Sequence, residues 1–374
     1  MKISKKDALT WFRFFASLPE DEELMPRQQE IAGAAFAQIE AAVEKRDEAL
    51  RAEIKNLKTL ENRTFYVGRD DKFPKGCRSC LLGTGLSAVR KTNKCNLKCP
   101  FCYDFGMLDC LPPIGEGLWE IGGTKFYERD IPLLLSIHQK PTGISYVYLE
   151  PFMEIEKYYG IISIFHQAGV YQHLYTNGTL ATEENLRALG EAGLDELRFN
   201  LGASACADSV IENIALAKRY IPMVGIETPM TPEFYDAFAL KKQAVLGTGL
   251  DFINCAELHL NDNNLVNYYG ENMYLSRMGY LSPIWSHELT LKLMRTASDE
   301  KWDIAVHDCS NRTKFARDLN LRAKEGGWFG ASGYAPEFSR IPYDAFLPIL
   351  EDDSFPFLSE EELPRGYRPG DIVL

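Results

Sequence analysis

Three cysteines fall within the stretch KCNLKCPFCY (94–103), at Cys95, Cys99 and Cys102, in a C-x3-C-x2-C spacing. A closed structural metal site takes four ligands, so this trio either lacks a partner or leaves a coordination position open. The residues admit two readings. In the first, Cys77-x2-Cys80 and Cys99-x2-Cys102, with 18 residues between the pairs, supply four thiolates to a tetrahedral zinc. That arrangement leaves Cys95 without a role. In the second, Cys95, Cys99 and Cys102 act as a unit and hold three irons of a 4Fe–4S cube, because thiolate is the preferred ligand of such clusters. The fourth iron then stays open to N and O donors. The chain has nine cysteines, six of them between 77 and 110. In a reducing compartment such clustering points to metal or catalysis before disulfides.

The elements that must position these thiols show a strand–helix rhythm. Strand-type runs occupy 85–92, 144–150, 171–177, 196–201, 221–227, 251–258 and 303–308, and helix-type runs such as TEENLRALGEAG lie between them. Such alternation predicts βαβ units and a parallel sheet, either doubly wound or closed into a full or partial (β/α) barrel. In both, the loops after the strands' C-terminal ends carry the chemistry. The thiols follow the first strand at that end. Residues 5–60 read as helix, with Leu9, Phe12 and Phe15, then Ile31, Ala35, Ile39 and Val43 at helical spacing. We expect an N-terminal helical cap (1–65), an α/β core (66–310) and a C-terminal extension (311–374). From about 331 that extension is rich in Pro, Phe and acids, and it reads as an irregular strap across the core. The long segment between Cys102 and the second strand reads as a loop over the sheet's C-terminal end.

With Phe101 just before its last cysteine, the loop resembles the signature of the radical S-adenosylmethionine superfamily. The resemblance runs over roughly 85 to 260. It implies a partial (β/α)6 barrel and a 4Fe–4S cluster held by Cys95, Cys99 and Cys102. It also implies S-adenosylmethionine bound at the open iron and a 5′-deoxyadenosyl radical that abstracts hydrogen from a substrate. YVYLEP (146–151) stands where the family carries Gly-Gly-Glu-Pro. Tyr148 and Leu149 replace the glycines, and Glu150 keeps the carboxylate expected to accept hydrogen bonds from the cofactor ammonium. LYTNGTL resembles the third strand end, which places Thr176 and Asn177 near the nucleoside. LRFNL resembles the fourth, with Asn200 as its polar contact. MVGIETP resembles the fifth, which adds Glu227 to the cofactor-binding candidates beside Phe101.

Arg198 shares a strand face by period-two alternation and is a catalytic candidate. Cys309 follows the last strand-like run. It is expected either to join Cys77, Cys80 or Cys110 in a second metal site (an Fe–S cluster or zinc), or to donate hydrogen to a substrate radical. The stretches around KGCRSCLLGTG and VHDCSNRTKF resemble an uncharacterised branch related to glycyl-radical-enzyme activases. The expected partners are a peptide, protein or small-metabolite substrate and a reductant such as flavodoxin or ferredoxin. The net charge of −12 weighs against nucleic acid as the main partner. No apolar run reaches the roughly 18 residues of a membrane span, and the N-terminal residues lack a secretory signal pattern. We therefore expect a cytoplasmic protein. The reading from another class is a zinc- or iron–sulfur-stabilised binding or scaffold protein without radical chemistry.

Overall fold

The computed structural model describes residues 44–60, 64–82, 86–108, 112–122, 124–137, 140–260, 263–268, 271, 273–275 and 281–310. Cys110, the strap at 311–374 and most of the helical cap at 1–65 lie outside the described residues. A helical stretch, α1 (44–51), opens the described chain. It is followed by β1 (Lys58–Leu60), β2 (Thr64–Gly68), α2 (Lys75–Leu82), β3 (Leu86–Arg90), β4 (Leu118–Ile121), β5 (Thr124–Tyr127) and α3 (Ile131–Ile137). Next come β6 (Gly143–Tyr146), α4 (Tyr158–Gln167), β7 (Tyr171–Thr176), α5 (Glu183–Ala192), β8 (Glu196–Phe199), α6 (Asp208–Ala217) and β9 (Met223–Pro229). The series ends with α7 (Pro232–Gly247), β10 (Phe252–Ala256), β11 (Met273–Leu275), β12 (Leu281–Pro283), α8 (Ile284–Asp299) and β13 (Ala305–Cys309).

Eleven strands form one sheet in the order β1-β2-β13-β10-β9-β8-β7-β6-β3-β4-β5. Its centre is parallel, with β3, β6, β7, β8, β9, β10 and β13 side by side in chain order. A doubly wound sheet reverses direction at a switch point. This order never reverses, which removes the doubly wound alternative. The strands are buried on both faces, as a parallel sheet requires. Leu174, Leu197, Phe199, Val224, Ile226 and Ile253 join the large core with Ile161, Phe165, Leu186, Leu189 and Ile214 of the crossover helices. The alternate residues face the other way. There Phe252 and Ala305 pack with Phe73, Cys77 and Leu81, so α2 covers the second face. Local signals set the helix ends. Thr182 caps α5 in a reciprocal capping box with Asn185, and Gly193 ends that helix at φ 92°.

Two sequence-based expectations are corrected here. The segment after Cys102 is not simply a loop, because it builds the antiparallel hairpin β4–β5 on the edge of β3. LWEI and TKFY alternate around a Gly-Gly pair, and Trp119 and Ile121 are fully buried. The helical reading also ran too far. Residues 58–60 and 64–68 are strands, and β2 lies antiparallel against β13, across the expected boundary at 65. TFYVG is β-branched and aromatic, and pairing in a sheet outweighs its place beside a helix.

One buried polar group fastens α1 to this sheet. His287 of α8 has Nδ1 2.8 Å from Asp47 Oδ2 and Nε2 3.2 Å from Asp308 Oδ2, and all three residues are buried. Burial alone would lower the imidazole pKa, but the carboxylates of Asp308 and Asp47 win and hold it well above its ordinary value. The imidazolium in turn holds Asp308 below the usual carboxylate range against its own burial. His287→Gln leaves two carboxylates facing a neutral amide and is expected to cost about 3–5 kcal/mol near pH 6. The raised imidazole pKa stabilises the fold fully below the unfolded value of about 6.5 and ceases to do so as pH rises through the folded value. The stability gap between wild type and His287→Gln, read from urea unfolding, should therefore narrow as pH climbs. A gap that widens with pH would contradict the assignment.

Candidate functional site

The three thiols lie half-buried on the loop that leaves β3. Two tight turns shape it, with the Cys102 amide donating to Cys99 O at 3.0 Å and the Phe105 amide to Cys102 O at 3.1 Å. The first half of the loop is tied to the ends of β6 and β7. The Glu150 amide donates to Lys94 O at 3.1 Å. Asn177 donates its amide to Asn96 Oδ1 at 2.9 Å, and Asn96 donates to Thr179 Oγ1 at 2.8 Å. The second half meets residues that follow β10, among them His259, whose Nδ1 lies 2.8 Å from the Tyr103 hydroxyl.

Burial pushes all three thiols up, Cys99 to about 12 and Cys102 to about 11, and neighbouring thiols add to the shift at Cys99. Thiols held neutral in this way are not poised as nucleophiles. A cationic centre drawn to the loop would convert them to thiolates. Among the described residues no three His, Cys, Asp or Glu side chains converge as ligands of a single ion would. A cube makes a different demand, since each thiolate binds its own iron and the sulfurs must ring a volume. Three coupled thiols on one short loop suit that demand. Cys77 has other company, its thiol being influenced by Arg198, Glu227, Glu196 and Cys309. Cys77 packs with Phe73, Leu81, Phe252 and Ala305 at the starts of β10 and β13, whereas the thiol loop leaves the C-terminal end of β3, which counts against a shared zinc.

Glu150 is fully buried at the end of the turn after β6. Its carboxylate accepts from Thr176 Oγ1 at 2.7 Å, the Asn177 amide at 2.6 Å and the Phe152 amide at 3.0 Å. Desolvation raises its pKa to about 7 despite these bonds. Glu150, Thr176 and Asn177, separate in the sequence, thus form one bonded unit beside Cys95. The preceding residues carry backbone strain. Tyr148 and Leu149 have φ of 75° and 55°, in the left-handed region that favours glycine. These are the two positions where the resembled motif has glycines.

The second sheet face carries a charged group built from neighbouring strands. Arg198, 2% exposed, pairs with Glu196 and Glu227 and donates to the Tyr175 hydroxyl at 3.0 Å. Glu196 also accepts from Tyr171 at 2.6 Å and from the Gly76 amide of α2 at 3.4 Å. A side chain at Gly76 would come within 2.6 Å of His173 and 2.7 Å of Arg198, so only glycine lets α2 approach this closely. Cys309 is the last residue of β13, half-buried and in register with Ala256. Cys80 lies on α2 three residues beyond Cys77. Asn200 caps the turn after β8, its Oδ1 accepting from the Ala203 amide at 3.2 Å and from Thr228 Oγ1 at 2.8 Å. Phe101 is half-buried within the thiol loop.

No family model matches the chain. It is 25% identical over 273 residues to a Methanocaldococcus jannaschii protein described as a "Putative glycyl-radical enzyme activating enzyme", an alignment covering 67% of each chain. It is also 24% identical over 184 residues to an uncharacterized protein of the same organism, over 44% of this chain and 57% of that one. The similarity supports a relationship to glycyl-radical-enzyme activating enzymes. No described helix is long and apolar enough to cross a membrane.

The sequence reading missed Asn96, Tyr103, Thr228 and His259, and the asparagines after β10. The run NDNN (261–264) was the visible signal, because clustered side-chain amides often bond to backbone groups. The strain beside Glu150 yields a prediction. Tyr148→Gly removes a side chain that is 48% exposed and relieves the left-handed cost. It should stabilise the fold by about 0.5–1 kcal/mol after glycine's entropy is counted. Thermal melting at matched buffer checks this, and a lowered midpoint would contradict it.

Proposed function

We propose that the chain is a radical S-adenosylmethionine enzyme of the activating type, acting on a protein substrate. The reading is carried by the half-buried loop of Cys95, Cys99 and Cys102, tied through Lys94 and Asn96 to the Glu150–Thr176–Asn177 unit. Cys95, Cys99 and Cys102 would hold a 4Fe–4S cluster. Such a cluster, once reduced, would supply the electron for cleavage of the S-adenosylmethionine sulfonium, and the half-burial of the thiol loop would limit water around it. Glu150 uses three of a carboxylate's roughly four acceptor positions internally, which leaves about one for the cofactor ammonium. Asn177, Asn200, Glu227 and Phe101 complete the cofactor's surroundings in this reading, and Cys309 is its candidate on the substrate side, whereas Arg198, 2% exposed and paired with Glu196 and Glu227, serves the sheet instead.

The unreversed strand order supports a partial barrel. So does the meeting of the loop after β3 with residues that follow β7 and β10, since a curling sheet brings its strand-end loops together. A protein substrate agrees with the relative's description, which speaks of activating an enzyme. It also agrees with Tyr103, Met107, Tyr148 and Met153, large side chains 36–48% exposed on the thiol loop and the turn after β6. A reductant of the flavodoxin or ferredoxin kind would supply the electron.

Anaerobic reconstitution with iron and sulfide tests the reading. The wild-type chain should bind about four irons and form 5′-deoxyadenosine from S-adenosylmethionine on reduction, and Cys99→Ala should abolish both. Stoichiometric zinc with no cofactor cleavage would overturn the proposal. Glu150→Gln should keep its iron but bind S-adenosylmethionine at least about tenfold more weakly, as the loss of a charge-assisted hydrogen bond requires. Loss of iron in that variant would make Glu150 a support of the loop instead.

A further inference from the structure

Three backbone carbonyls in the second half of the thiol loop are each met by a side-chain amide from the far side of the sheet. Asn267 donates its Nδ2 to Pro100 O at 2.8 Å. Asn264 donates to Phe101 O at 3.1 Å and also to His259 O at 3.0 Å. Asn263 donates to Tyr103 O at 2.7 Å. The Tyr103 hydroxyl lies against His259 Nδ1, and the two rings meet edge to face at 6.2 Å. Every acceptor is a carbonyl, so chemistry fixes each asparagine with its amide group toward the loop. Asn264 is fully buried and His259 nearly so. The loop itself follows β3, while these partners follow β10, which lies five strand steps away in the sheet.

We propose that His259, Asn263, Asn264 and Asn267 form a latch that positions Cys99 and Cys102, the carbonyls of Pro100 and Phe101 serving as its grips. The two carbonyls lie between the two thiols, so gripping them fixes the thiols' spacing. Cys95 is held separately, through Asn96, from the β7 side. The trio is thus set from two directions, and the latch lets the β10 end of the sheet control half of the site. These are positioning residues, since none is argued to touch the cofactor. The role for a cluster rests on the proposed function, but the grip on the loop does not.

The test uses the full chain in two states. In the metal-free protein, hydrogen exchange of the 99–105 amides is compared between wild type and the double variant Asn263→Ala/Asn267→Ala, which spares the buried Asn264. Exchange should rise about tenfold, as expected for two lost hydrogen bonds, with the melting midpoint of the sheet unchanged. In the anaerobically reconstituted protein, iron loss to a chelator should accelerate by a similar factor, and the cluster's electron paramagnetic resonance signal should broaden or shift. Asn264→Asp, nearly isosteric, swaps the donor for an acceptor facing two carbonyls and should reproduce both effects. Unchanged exchange in the folded double variant would overturn the latch. If wild type takes up no iron, the proposed function fails, while the exchange result still decides the latch.

Discussion

A buried guanidinium governs the second face of this sheet, the one that α2 covers. Arg198 remains charged at any physiological pH and is only 2% exposed, so its surroundings must supply negative charge and hydrogen-bond acceptors. Glu196 on its own strand and Glu227 on the next do so, and Tyr171 and Tyr175 bond to the carboxylates in turn. The requirement spreads outward. The Gly76 amide at the start of α2 also meets Glu196, which brings that helix onto the sheet and Cys77 into the charged group. Gly225 lies in register between Arg198 and Phe252, and a side chain there would collide with the Phe252 ring at 2.6 Å. Charge satisfaction, more than apolar packing, orders this face.

The opposite end of the strands solves another problem. Loops at the ends of parallel strands carry carbonyls and amides that no ladder satisfies. Here Asn263, Asn264 and Asn267 donate to loop carbonyls and Asn177 Oδ1 accepts from the Thr179 amide, while Asn96 joins the side chains of Asn177 and Thr179. Their bonds are short-reach and directional, so they tie the thiol loop to particular strand ends. The Glu150 carboxylate does the same for the β6 turn, and the strained backbone at Tyr148 and Leu149 delivers it to Thr176 and Asn177.

Much of this was legible in the sequence, and the reason differs by element. The seven parallel strands showed as short runs such as ELRFNL and DFINCAEL, rich in large apolar residues and set between helix-type runs. The thiols and Glu150 were visible from spacing and residue type. The β4–β5 hairpin was missed because its strands lie in a Gly- and Pro-rich segment, where composition suggested a loop. The strand β2 was missed because β1, its neighbour in the chain, is only three residues long, and its other partner, β13, lies some 240 residues away where no local period records it. The asparagine contacts were missed for the same reason, since a side-chain amide bonded to a remote carbonyl leaves no trace in periodicity. Arg198 was singled out by alternation alone; Glu196 precedes it by two residues on the same strand, and Glu227 joined it only when β9 stood beside β8.

The pairing of β2 with β13 has a consequence for synthesis. Thr64–Gly68 emerges from the ribosome long before Ala305–Cys309, yet its sheet partner on that side is the later strand. The crossovers from β6 to β10 join strands adjacent in both sequence and space, so that part can assemble as it is made. The N-terminal ribbon must wait, its edge unpaired, until the seventh parallel strand arrives. Closure between distant segments is slow relative to local pairing. The face that α2 and Cys77 cover is thereby completed late, after the strand ends that carry the thiol loop's tethers have formed.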